Sequence, residues 1–305
     1  LIAIVIYGLI AFSSNSSELI NVIIKDTGSV LKVLVLIIVG LAIRFYRWKF
    51  IVKELNLGIP LLGEIKSWLS SQAFLATPGG SGLAIRAVLI KEKYGIPIKT
   101  LLTPLIIERL SDLISIILLI AVSFNFTPLS ISTFLETSLT TNILIVILLS
   151  LLIYIALKPN RFLYKLINKI LPKKFTNPQY STNLKNILKN IYSKKLLISS
   201  LIGMVPWGLE GIGLSIILNS SKIDNFNTIW GIFTHSAGNL IGAVSFLPGG
   251  LGTAEASMIS ILTLFKTSLP LASASVLMIR LMTLWMASGI GFICLLLPTA
   301  KERKF

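Results

Sequence analysis

A chain of 305 residues in which 54% are hydrophobic and 13% charged is too apolar for a soluble domain, where about 25% would be charged. Its net charge of +16 would point to nucleic acid in a soluble protein, but here the Lys and Arg are gathered in a few segments between apolar runs, as membrane topology requires. One cysteine, Cys294, leaves no disulfide or cysteine-based metal site to be built from these residues.

The opening LIAIVIYGLIAF has neither the basic flank nor the A-x-A site of a signal peptide and reads as the remnant of a first span. Apolar runs follow at about 30–48, 98–121, 140–157, 196–218 and 271–297, each near the roughly 20 residues a crossing needs. Threading the chain puts Arg44, Arg47, Lys49 and Lys53 on one side, with Lys91, Lys93, Lys99, the run Lys158–Lys195 and the tail Lys301, Arg303 and Lys304. Twenty basic residues there against four opposite (Lys25, Lys32, Lys222, Lys266) make that side, and with it the C-terminus, cytoplasmic in the cell membrane. Within 158–195, Leu184, Ile187, Leu188, Ile191 and Tyr192 recur at helical spacing with lysines off the stripe. That segment is either an amphipathic helix in the headgroup layer or an ordinary basic cytoplasmic loop.

Two short stretches interrupt the apolar pattern. Residues 74–86 read FLATPGGSGLAIR and residues 246–258 read FLPGGLGTAEASM, so Gly79, Gly80 and Gly82 correspond to Gly249, Gly250 and Gly252. Arg109 follows Pro78 by 31 residues and Arg280 follows Pro248 by 32, which divides the chain into related halves, 30–121 and 196–297, within one integral membrane domain. The segments returning from the motifs, 83–93 and 253–265, are too short to cross. Each motif therefore reads as the tip of a re-entrant pair, the first entered from the cytoplasmic side and the second from outside; the alternative is a kinked full crossing. The fold expected is all-α, with about six full spans plus two re-entrant helical pairs in an inverted repeat. Glycine permits a tight turn and close backbone approach, and the helix start after it offers N–H groups to a phosphate or carboxylate. The bland reading is a turn that only lets helices pack closely.

Charge at membrane depth is costly and marks functional candidates. Arg86 and Glu255 occupy related places after the two motifs, where they would pair, or Arg86 would hold a phosphate while Glu255 takes an amine or proton. Glu108 and Asp112 share a helix face with Arg109 in reach of Asp112, Glu210 lies in the run 196–218, and Arg280 sits in the last run. These residues form either a structural ion network or the lining of a polar pathway. His235, the single histidine, with Asn239 one turn on, is a proton carrier or a polar bridge between helices. Gly238 and Gly242 form a small-xxx-small pair suited to close packing. No P-loop, H-E-x-x-H or G-x-S-x-G motif occurs, so no cofactor, metal or catalytic residue is expected.

The motifs FLPGGLGTAEA with Trp207-Gly-Leu-Glu210, and TPGGSGLAIRAVLI with TPLIIERLSDLISI, resemble the flippase-like membrane domain of lysylphosphatidylglycerol synthetases over about 30–297. The resemblance implies an eight-helix membrane domain, counting re-entrant elements, and movement between leaflets of a lipid with a charged headgroup. Leu83 replaces an acid common in the family's first motif, and the soluble aminoacyl-transferase domain is not among these residues, so lysine transfer is not expected. The partners expected are membrane lipids with an anionic or phosphate-bearing headgroup. The competing readings are an intramembrane transferase acting on a lipid-linked substrate and a membrane anchor or regulatory partner for a soluble enzyme.

Overall fold

The computed structural model describes residues 27–77, 81–127, 194–220 and 226–297. The opening segment, Pro78-Gly79-Gly80, the run 140–157, nearly all of the basic segment 158–195 and the tail lie outside the described residues. Within them every element is helical. In chain order they are α1 (Thr27–Val52), α2 (Leu61–Gln72), α3 (Ile85–Tyr94), α4 (Ile98–Phe124), α5 (Lys194–Ser220), α6 (Thr228–Val244), α7 (Thr253–Leu264), α8 (Leu269–Arg280) and α9 (Met286–Leu296). A π-helical turn, Leu281–Trp285, joins the last two into one continuous rod.

Among the described residues three elements are long and apolar enough to cross a membrane: α1, Lys195–Ser220 of α5, and Leu269–Leu296. At 27 residues α4 is as long, but its centre carries Glu108, Arg109 and Asp112. At 1.5 Å per residue such a helix exceeds the roughly 30 Å hydrocarbon layer. Between the rods sit two helical hairpins. The start of α2 lies beside the end of α3, because a Cβ on Gly63 would fall within contact of Tyr94. The start of α6 lies beside the end of α7, where the Trp230 and Phe265 rings are 5.2 Å apart.

The ends of the bundle are set by contacts to the rods. Lys49, near the end of α1, pairs with Glu64 of α2; Lys66 donates to the carbonyl of Leu297; Lys195 donates to the carbonyl of Ile51 at 3.4 Å. The first hairpin therefore opens at the end where α1 and α9 finish and α5 begins. At the other end Trp230 of α6 donates to the carbonyl of Phe126, just past α4, at 2.8 Å. The second hairpin opens there. The two tips meet between them, with Gly249 donating to the carbonyl of Thr77 at 3.5 Å.

Small residues make this closeness possible. Gly238 and Gly242 on α6 face Met258 and Ala254 on α7, and a Cβ on Gly242 would lie 2.8 Å from that of Ala254. Gly250 has φ +66°, and a Cβ there would lie 2.9 Å from the Gly242 Cα. Gly250→Ala is expected to cost about 1–2 kcal/mol for the left-handed backbone and about 1–3 kcal/mol more for overpacking. Gly289→Ala on α9, where nothing lies within 4 Å, should be neutral or gain up to about 1 kcal/mol of helix propensity. Melting temperatures of the two purified variants check the contrast.

One assignment is corrected. Arg44 and Arg47, counted above with the cytoplasmic residues, lie inside α1, which continues to Val52. Arg47 is 1% exposed, packed in the bundle rather than at its rim. Removing both leaves eighteen basic residues against four, so the expected orientation keeps its sign.

Candidate functional site

The charged residues sit on faces turned into the bundle, where the nearest compensation is another charge. Arg47 Nη2 of α1 lies 2.7 Å from Asp112 Oδ1 of α4, and Arg86 Nη1 of α3 lies 2.9 Å from Glu108 Oε2. Arg44 pairs with Glu210 of α5, and Arg280 Nε at the end of α8 lies 2.6 Å from Glu255 Oε1 of α7. Arg109 reaches both α4 carboxylates, at 3.0 Å from Asp112 Oδ2 and 3.7 Å from Glu108 Oε1. Two of these pairs are reversed in sign between the hairpins. After the first motif the returning helix supplies the cation, Arg86, and the next rod the acid, Glu108. After the second, the returning helix supplies the acid, Glu255, and the next rod the cation, Arg280.

Arg86 and Glu255 accordingly do not pair with each other, and neither lines the two charged cavities described below. Arg86 is 1% exposed, with its guanidinium 4.2 Å from the Trp48 ring centre and 5.7 Å from that of Trp68. It also donates to Ser71 Oγ at 3.1 Å. Burial between two indoles and a carboxylate makes it a brace between α3 and α4.

Glu255 explains the acid in the second motif. Its Oε2 accepts the N–H of Gly252 at 2.7 Å, closing the N-terminus of α7, while Oε1 takes Arg280. Arg280 in turn donates from Nη2 to the carbonyl of Gly249 at 2.7 Å, and from Nη1 to Asn239 Oδ1 at 3.4 Å. The Pro-Gly-Gly turn is thus fastened to the last rod through one carboxylate and one guanidinium. The helix start considered above as an anion site already has the chain's own carboxylate on it. Gly249 and Gly250 line a cavity, whereas Gly82 supports its turn by donating to Thr77 Oγ1 at 2.6 Å. Gly252, at φ +85°, begins α7. Gly79 and Gly80 lie outside the described residues.

The remaining candidates converge on open space. A cavity of about 120 Å³ is lined by Glu108, Arg109, Asp112, Glu210 and Arg280 together with Arg44 and Arg47. A second, of about 230 Å³, shares Arg109, Asp112 and Arg280 with the first and reaches Thr77, Gly249 and Gly250 at the hairpin tips. The π turn after Arg280 contributes Thr283 and Leu284 to the first wall; such insertions recur at functional sites. Trp207 lies under Arg44 at 4.7 Å and donates to Asp112 Oδ1 at 3.3 Å. His235 is 1% exposed, with Nε2 3.7 Å from Glu210 Oε2 and 3.2 Å from Asn239 Nδ2.

Comparison with known proteins bears on what this site serves. Residues 1–291 match the family described as the lysylphosphatidylglycerol synthase TM region. The chain belongs to this family. A UPF0104 membrane protein of Methanothermobacter thermautotrophicus is 29% identical over 94 residues, 30% of this chain and 28% of that one. The UPF0104 membrane protein MJ1078 of Methanocaldococcus jannaschii is 28% identical over 207 residues, 68% of this chain and 85% of that one. The chain therefore spans just over a quarter of the first relative's length and most of the second's. No solved structure matches.

As a member of the lysylphosphatidylglycerol synthase transmembrane family, the chain is an all-α membrane protein whose cavity charges come from four helices, α1, α4, α5 and α8. Arg44 and Arg47 are the charged cavity residues that the sequence did not single out as site candidates. A signal for them existed: the four acids placed in the spans, Glu108, Asp112, Glu210 and Glu255, outnumbered the three arginines placed there, Arg86, Arg109 and Arg280. Two cations three residues apart at the end of an apolar helix were available to make up the difference.

Proposed function

We propose that this protein is a lipid translocator, in which a charged headgroup passes between leaflets through the cavities at the hairpin tips while the acyl chains stay in lipid. One observation carries the reading: two hairpins open at opposite ends of the bundle and meet at Thr77 and Gly249, with charged cavities beside the contact. Irregular backbone at membrane depth is tolerated where protein or a polar cavity surrounds it, and opposed broken helices are the frame on which alternating access is built. In this reading the halves 30–121 and 196–297 form the inverted repeat. The basic end of the bundle, with the C-terminus, faces the cytoplasm of the cell membrane. The carboxylates of the cluster are all engaged by arginines, which favours passage of a headgroup over an acid–base transferase.

The test is a leaflet-accessibility assay with purified protein in vesicles carrying a fluorescent phospholipid of charged headgroup. Protein-dependent loss of the inner-leaflet signal to an external reductant is expected. Arg109→Ala should slow it about tenfold or more, as loss of one charge-assisted contact implies. Vesicles that keep their inner-leaflet signal with and without folded protein overturn the translocator reading.

A further inference from the structure

We infer that the central cavity is matched to a headgroup with one net negative charge, a phosphodiester without an ammonium group, seated at Arg109. The inference rests on the translocator reading for taking a lipid as the ligand. Its own basis is charge stoichiometry. Among the described residues of the cluster, Arg44 faces Glu210 and Arg280 faces Glu255. The other three guanidinia, Arg47, Arg86 and Arg109, share two carboxylates, Asp112 and Glu108. Arg47 and Arg86 hold these at 2.7 and 2.9 Å and are each 1% exposed. Arg109 takes its share at 3.0 and 3.7 Å with 39% of its side chain accessible. The excess positive charge falls on Arg109, which borders both cavities.

A charge without full compensation in an apolar surround is costly, so this arrangement favours arrival of one anion and disfavours arrival of a further cation. The positive charge beside the cavity is not taken up elsewhere: Nε and Nη1 of Arg47 are buried in the bundle without a hydrogen-bond partner. The planar fork of a guanidinium fits two oxygens of a phosphate at once. An ammonium group on the headgroup would enter beside carboxylates already engaged by arginines. Cavities of about 120 and 230 Å³ fall below the roughly 300–1,000 Å³ of pockets that enclose whole drug-sized ligands. They suit a compact headgroup and not its chains.

The experiment incorporates the protein into vesicles of equimolar phosphatidylglycerol and phosphatidylethanolamine, extracts it gently and counts the lipid retained on it by native mass spectrometry. Retained phosphatidylglycerol is expected to exceed phosphatidylethanolamine about tenfold. Arg109→Gln should abolish the preference and Arg109→Lys should keep most of it, both with melting temperatures near that of the parent chain. Equal retention of the two lipids, or a preference undiminished in Arg109→Gln, overturns the inference. So does inorganic phosphate that displaces the retained lipid at equal concentration, since the site would then be one for a small ion. Translocation by the same preparations is scored separately. Selective retention without movement leaves the inference standing and removes the translocator reading, while movement of both lipids at one rate without selective retention does the reverse.

Discussion

Replacing Asp112 by alanine is expected to lower stability by about 3–5 kcal/mol, the range for leaving a buried charge without its partner. Its Oδ1 lies 2.7 Å from Arg47 Nη2 and 3.3 Å from Trp207 Nε1, and its Oδ2 lies 3.0 Å from Arg109 Nη2. Arg47 is 1% exposed and cannot turn to solvent, so the loss is not repaired by rotation. The same carboxylate joins three helices, α1, α4 and α5, which makes the effect one on the bundle as a whole. Arg109→Gln should behave differently although it breaks a contact to the same residue. Asp112 keeps Arg47 and Glu108 keeps Arg86, and the side chain removed is 39% accessible, so the change should stay within about 1 kcal/mol. Denaturant titration of the two variants in one detergent measures both. Equal losses would show that Arg109 is part of the structural network, and would remove it as the cation available to a headgroup.

The contrast also shows what the sequence made legible. Apolar runs of spanning length, the paired Pro-Gly-Gly motifs and their short return segments are local patterns, and among the described residues the helices follow them: α3 and α7 fall where returns too short to cross were expected. The charges in the spans were legible as a set, because ionisable residues there are rare. Their pairing was not. Spacing along one helix fixes Arg109 beside Asp112, but whether Arg86 meets Glu255 or Glu108 depends on which helices become neighbours, and sequence offset carries no such information. The related places of Arg86 and Glu255 after the two motifs left a pair across the repeat as one of two readings; each instead finds an ion-pair partner on the next rod, 22 and 25 residues on. Arg44 and Arg47 were hidden for another reason. Basic residues closing an apolar run mark a membrane boundary, and only the continuation of α1 to Val52 takes these two inside.

Glu255→Gln is expected to cost about 3–5 kcal/mol even though glutamine at that position still caps a helix start. The cap to Gly252 would persist, but Arg280, 4% exposed, would lose the carboxylate 2.6 Å from its Nε. Adding Arg280→Met removes the stranded cation and puts an apolar side chain of similar length in its place. Substituting both members of a buried pair is often close to neutral, so the double variant should recover much of the loss, with a coupling of about 0.5–3 kcal/mol. Translocation should not return with it. Arg280 also donates to the carbonyl of Gly249 at 2.7 Å, and methionine leaves that turn unfastened from the last rod while taking a charge from both cavities. A double variant that is both stable and active would show that the fastening serves the fold alone. One no more stable than Glu255→Gln would show that the two side chains are not coupled, against the direct contact between them.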